Sequence, residues 1–249
     1  NRIQIKITYT LEFLSAFHLG TGLPNGLIDR AIARNKDGYL YVPGSTIKGV
    51  VRHRCEQLAK LYGLEANEPH TEESQRREAN IRDPDIITRI FGSRFLPATL
   101  YFDDATMLEE DRAAYFDGSK PDDGIYKAKQ IEERTQVSLS RRTRTAKSGR
   151  LYTSEYGIKS LRFKGQVYGI IDGLALEDEP EYNYSLLLLV AGLKSIDRIG
   201  GNKSSGAGQV TCTINDPVLV NGNSVNQRYL LELAPENLEY YKLAREMQA

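Results

Sequence analysis

The run Ile3–Phe13, IQIKITYTLEF, alternates apolar and polar side chains with a period of two. An extended strand puts every second residue on one side, so the run predicts a strand with one face buried. The later pattern supplies its partners in a definite order. A Gly- and Pro-rich loop, HLGTGLPNGLIDR, leads to a short strand, YLYVPGS. Ser45 is the expected N-cap of a helix running to about Tyr62. Ile47, Val50, Val51, Leu58 and Leu61 form its apolar face with Cys55, and Gly63 ends it. ATLYFDDAT predicts a second long strand and LRFKGQVYGIID a third. Leu186, Leu189, Val190, Leu193 and Ile196 recur at helical spacing, and GQVTCTI predicts a fourth strand. The order β, α, β, β, α, β predicts an α+β fold of the ferredoxin-like, split βαβ kind, an arrangement shared with RNA-recognition domains. Residues from about 64 to 95 are polar and read as an insertion. The stretch from about 109 to 160 reads as a projecting loop or hairpin. Residues 216–249 read as a polar extension with a terminal helix near Glu239.

Of the 249 residues, 40% are hydrophobic and 27% charged, enough apolar material for a core. The longest apolar run, Leu186–Ala191, is too short to span a bilayer, and no secretion signal is read at the start. Cys55 and Cys212 have no metal-ligand spacing and predict reduced thiols in a cytoplasmic protein. Lys+Arg equals Asp+Glu, which excludes a uniformly basic nucleic-acid binder but not local patches. One patch is evident. Between Arg134 and Ser154 lie Arg134, Arg141, Arg142, Arg144, Lys147 and Arg150, with no acid.

GGNKSSGAGQ, residues 200–209, holds four glycines and Lys203. It follows a helical pattern and precedes a strand, the reverse of a P-loop or a dinucleotide fingerprint. Two readings stay open. It is a Gly-rich connection, or a cradle in which main-chain N–H groups, Arg198 and Lys203 meet phosphate. PGSTIKGVVRHR likewise puts Lys48 in the first turn of a helix, where the dipole disfavours a cation unless an anion shares the site.

FHLGTG, LIDRAIAR, YVPGSTIKGVVR, FGSRFLPATLYFDDA and GGNKSSGAGQV occur in this order between about Ile3 and Ile214. Together they resemble the CRISPR-associated RAMP superfamily, and within it the backbone subunits of type III effector complexes, the Csm and Cmr assemblies. The resemblance implies one RAMP domain with a lid in the 64–95 insertion and a thumb within about 109–160. It implies a subunit that stacks along a CRISPR guide RNA and pairs with a target RNA. Its neighbours would be further copies, other RAMP subunits and a large signature subunit, with no membrane. Guide contacts would come from Lys48, Arg52 and Arg54, and from the loop carrying Gly200, Gly201, Lys203, Ser204, Gly206 and Gly208, beside Arg198. The basic thumb residues Arg141, Arg142, Arg144 and Lys147 would also meet RNA. The carboxylate matching the family's target-cleaving residue is Asp29, in GLIDRAIAR, acting with Mg²⁺ or another divalent cation. Arg30 and Ala31 stand where the family often has a small residue and proline. Some relatives carry a zinc cluster before FGS. Here that stretch has His70 and no cysteine, so no zinc is expected.

Single residues leave alternatives. His18 reads as structural or RNA-touching, and His53 as solvated or phosphate-touching. Asp103 and Asp104 read as a strand end rather than a metal pair, because adjacent strand residues face opposite ways. Tyr39, Tyr41, Tyr152, Tyr156 and Tyr168 are candidates for stacking on bases, Tyr152 and Tyr156 above the others because they flank the basic run. Three roles stay open for the whole: a subunit that cuts target RNA, a non-cleaving guide-binding scaffold, or a guide-processing endonuclease.

Overall fold

The computed structural model describes residues 1–22, 28–64, 84–115, 130–140 and 142–247. Strand β1 (Arg2–Phe13) runs through the middle of an antiparallel sheet. Ile3, Ile5, Ile7, Tyr9, Leu11 and Phe13 all point into the core, as the alternation demands. On one side β1 pairs with β7 (Arg162–Asp172), from Arg2↔Asp172 to Glu12↔Arg162. On the other it pairs with β8 (Val210–Val220), with a register shift between Lys6 and Thr8. Two short strands, β3 (Leu100–Phe102) and β4 (Ala105–Met107), pair with the outer side of β7. β2 (Tyr41–Val42) and β9 (Asn223–Val225) complete the edges.

The expected second strand is therefore cut in two, at Asp103 and Asp104. The Asp103 N–H donates to the Gln166 carbonyl at 3.1 Å, and its carboxylate accepts from the Gln166 amide at 2.5 Å. Asp104 turns away and accepts from the Gly44 N–H at 2.7 Å. This contact corrects the cap expected of the first helix, α1 (Gly44–Leu61). Its N-cap position is Pro43, without a side-chain cap, and Ser45 lies inside the helix. Asp104 brings negative charge to the helix start from another strand.

Helix α2 (Ile86–Phe91) closes the stretch read as an insertion, and it is core: Ile86, Ile87, Ile90 and Phe91 are buried. Asp85 caps it by accepting from the N–H groups of Ile87 and Thr88 at 3.0 and 3.1 Å. The lid expectation for the polar part before it, and His70, lie outside the described residues. Helix α3 (Glu109–Tyr115) opens the projecting stretch and is tied to β7 through Asp111, which accepts from the Arg162 N–H at 2.8 Å and pairs with its guanidinium. A separate two-stranded sheet follows, β5 (Ile131–Leu139) with β6 (Ala146–Gly157).

Helix α4 (Tyr184–Lys194) is buried on nearly every side. It lies between α1, the sheet and α5 (Gln227–Met247), a 21-residue helix in the region read as a polar tail. Leu230, Ala234, Leu238, Tyr241 and Ala244 form the inner face of α5, and the Tyr184 and Tyr241 rings meet edge-on at 5.1 Å. The fourth strand also runs past Ile214 to Val220. Cys55 and Cys212 are unpaired and buried. Burial pushes both thiols up, Cys212 to about 12.

Where α1 crosses α4, a Cβ added at Gly192 would sit 2.3 Å from Cys55 Sγ. Alanine there gains about 1 kcal/mol in helix propensity but overpacks a closed contact, which costs about 1–3 kcal/mol. Gly192→Ala is therefore expected to lower urea stability by about 1 kcal/mol. The loss should shrink when Cys55→Ala is combined with it, a coupling that a double-mutant cycle measures.

Candidate functional site

The glycine loop is folded against the segment that leaves β1. Gly208 N–H donates to the Ala16 carbonyl at 2.8 Å and Gly201 N–H to the His18 carbonyl at 2.9 Å. Two of its glycines are demanded by the chain. Gly200 has φ +96°, with space for a Cβ closed by the His18 carbonyl at 2.4 Å; Gly208 has φ +73° and is closed by the Ile199 carbonyl at 2.0 Å. Their absence of side chains serves packing, not ligand access. Gly206 ends a single 3-10 turn, Lys203–Ser205, and Lys203, Ser204 and Gly206 are exposed. Arg198 is a brace: its guanidinium donates to the Lys203 and Ala207 carbonyls at 3.2 and 3.5 Å. The N–H groups of Asn202, Lys203 and Ser204 donate to no acceptor among the described residues. With the Lys203 ammonium, they form the part of the loop suited to an anion.

Strand β6 links this loop to Asp29. The Asn202 amide donates to the Tyr156 hydroxyl, and the His18 ring lies 5.7 Å from the Tyr156 ring. His18 Nδ1 is 2.7 Å from the Glu155 carbonyl, which assigns its proton to Nδ1 in the neutral ring. Glu155 is buried. Its carboxylate accepts from the Ile32 N–H and from Arg34 Nη2, both at 2.9 Å. Further along, the Thr153 carbonyl accepts from the N–H groups of Asp29 and Arg30 at 3.0 and 3.3 Å. The Thr153 N–H returns a 2.8 Å bond to Asp29 Oδ2. Asp29 is exposed, held at its backbone and by one carboxylate oxygen. Thr153 to Tyr156 spans about 10 Å of strand, so the acid and the glycine loop share one rail. Arg30 lies over the Tyr152 ring at 5.4 Å.

The cations of α1 divide. Arg54 pairs with Asp197, immediately before Arg198, and so stands at the root of the glycine loop. Arg52 lies about 200° round the helix from Arg54, bonded to Glu56 at 2.9 Å and to the Gly92 carbonyl at 3.5 Å. Lys48 shares that side; burial and then the Arg52 guanidinium hold its ammonium below the usual lysine range. A bound anion would reverse that direction, but the helix start already faces Asp104. His53 is exposed, with Nδ1 4.0 Å from Glu56.

At the far end of the β5–β6 hairpin, Arg142, Arg144 and Lys147 are exposed, while Arg141 lies outside the described residues. Arg134, nearer the base, is paired with Glu132 and lies over the Tyr156 ring at 4.6 Å. Tyr156 is 2% exposed and Tyr39 7%, so neither is free to stack on a base; Tyr168 is 37% exposed. Among the described residues no three His, Cys, Asp or Glu side chains cluster for a metal. Asp29 alone suits Mg²⁺ only in the manner that takes one carboxylate and leaves the remaining positions to substrate phosphate and water.

Sequence reasoning missed Thr153, Glu155, Arg34 and Asn202. All four act across long chain separations, such as the 121 residues between Arg34 and Glu155, and only the fold brings them together.

A family model described as the RAMP superfamily matches residues 10–211. No curated protein matches the chain. A chain in a cryo-EM structure of the type III-B Cmr-beta bound to cognate target RNA superposes with a TM-score of 0.56 at 11% identity, covering 84% of this chain and 96% of that one. A chain of the apo Cmr-beta gives 0.53 at 11% identity with the same coverage. At this identity the likeness is one of fold.

Glu155 holds the hairpin base to the loop after β1. Glu155→Ala leaves the Ile32 N–H and Arg34 without it and should cost about 1–3 kcal/mol; Glu155→Gln, which can still accept from Ile32, should cost less. Urea unfolding measures the order, and the alanine variant should also be cut faster by protease within β5–β6.

Proposed function

The chain belongs to the RAMP superfamily, and on that premise we propose that it is a guide-RNA-binding backbone subunit of a type III CRISPR effector that cuts complementary target RNA at Asp29. The sheet order β8, β1, β7, β3/β4, all antiparallel, supports the ferredoxin-like, RNA-recognition-like core. The β5–β6 hairpin serves as the thumb, with Arg142, Arg144 and Lys147 toward RNA. The guide backbone runs along the glycine loop, meeting the N–H groups of residues 202–204 and Lys203, with Arg54 and Arg198 holding the loop's shape. Arg52 and Lys48 contribute from a different side of α1.

The observation that carries this reading is the frame on β6: one strand fixes an exposed carboxylate at Thr153 and the glycine loop at Tyr156. A base-paired target kinked against the hairpin would have its phosphate beside Asp29. Cleavage then needs the 2′-oxygen in line with the departing 5′-oxygen, an orientation effect. The 2′-oxygen bonds to phosphorus as the P–O5′ bond breaks. The 2′-hydroxyl proton is lost and the 5′-oxygen gains one, leaving a 2′,3′-cyclic phosphate and a 5′-hydroxyl. Asp29 would hold a divalent cation, which when bound stabilises charge on the phosphate oxygens. The Thr153 N–H keeps the carboxylate from swinging away. A second reading, favoured by the lone carboxylate, is a scaffold that binds guide and cuts nothing.

In the assembled complex with Mg²⁺ and complementary RNA, Asp29→Ala should reduce cutting by at least about 100-fold while target binding stays unchanged. Regular cleavage retained in that variant would remove the assignment, and no cleavage by the native complex would favour the scaffold. Lys203→Ala and Lys48→Ala should each weaken guide binding modestly and lower the salt-dependence slope by about 1.

A further inference from the structure

The side of the sheet away from the helices carries a second feature, independent of the guide track. The register puts Tyr101, Tyr168, Lys6 and Leu219 in one row across β3, β7, β1 and β8. Tyr101 is 60% exposed and Tyr168 37%, and their rings stack with centroids 5.6 Å apart and planes at 26°. Between Tyr168 and Leu219 the surface opens into a groove of about 330 Å³, lined also by Gln4, Lys6, Gln166 and the bare backbone of Gly169 and Gly222. This row lies seven residues along β1 from Phe13↔Val210, where the glycine loop joins, about 23 Å away.

The charges of this face are unequal. Asp103 is engaged by the Gln166 amide, and Asp172, at the end of the sheet, is paired with the N-terminus and Arg89. Glu12 shares the face but lies six residues from Lys6 along β1, about 20 Å. Lys6 has no ion-pair partner among the described residues, and the side-chain amide of Gln4 makes no hydrogen bond there. A groove with an aromatic wall, an aliphatic wall, amides at its rim and a cation on its floor suits a flat, polar-edged, anionic ligand. Lys6 stands on β1 between Tyr168 and Leu219, each one strand spacing away at about 4.8 Å, so a ring in the groove rests on the Tyr168 face with the Lys6 stem at its edge.

We propose that this groove binds an unstacked base of single-stranded RNA, continuing the Tyr101–Tyr168 stack, with Gln4 and Gln166 at the base edge and Lys6 on the neighbouring phosphate. The chain has no tryptophan, so Tyr168→Trp makes a local reporter in the full chain. Tetra-uridylate should quench its emission saturably. Leu219→Asp in the same background should weaken that response by about tenfold or more, within the range for losing one base contact. The signal is confined to the sheet face, so it is scored separately from binding at the glycine loop. No quenching at millimolar RNA would overturn the proposal. So would an emission change that follows protein concentration alone, which would show a second copy covering the face. If Tyr168→Trp does not fold, 4-thiouridine RNA is cross-linked to the native chain: adducts on Tyr101, Tyr168 or Lys6 support the site, and adducts confined to other regions refute it.

Discussion

Strand β6 is half inside the core and half outside it, and the site depends on that division. At its inner end Gly157 exchanges backbone hydrogen bonds with Phe17, at 3.1 and 2.7 Å, and a Cβ there would meet the Phe17 ring at 2.2 Å. Ser154, Glu155 and Tyr156 are buried. Beyond Thr153 the strand leaves the core, and β5 is its one strand partner among the described residues. A two-stranded ribbon is marginal alone, so the hairpin is as firm as its root. The root is firm because the Glu155 carboxylate satisfies a backbone N–H and an arginine at once, the arrangement that lets a buried acid contribute rather than cost.

The parts of the fold legible in the sequence were those whose side chains obey one period. β1, β7 and the inner face of α1 each bury one face and expose the other. What escaped was set by neighbours distant in the chain. Leu186–Val190 is apolar on all sides, and a helix of that kind is covered all round. The cover is α5, whose apolar residues are diluted by charge and interrupted by Pro235. α4 needs cover on every side, and the inner face of α5 supplies it. Ser45 fits the rule for a helix cap, yet Asp104 supplies the charge from another strand, which no local rule detects.

The site was legible in its residue types more than in their duties. Asp29 is exposed and oriented, and the glycine loop carries unclaimed N–H groups. Gly200 and Gly208 answer to chain geometry, however, and Arg198 answers to two carbonyls. The run from Arg134 to Ser154 contains no acid, but its charge is not uniform. Glu132, two residues before, neutralises Arg134, and Tyr156, ranked high for base stacking, is the buried floor beneath that arginine.

One peptide group gives the hairpin's attachment a mechanical meaning. The N–H and C=O of Thr153 both bind residue 29, while three residues on Tyr156 meets Asn202 in the glycine loop. Thr153 and Tyr156 are three residues apart on one strand, so a displacement of the hairpin root carries the Asp29 carboxylate and the glycine loop with it.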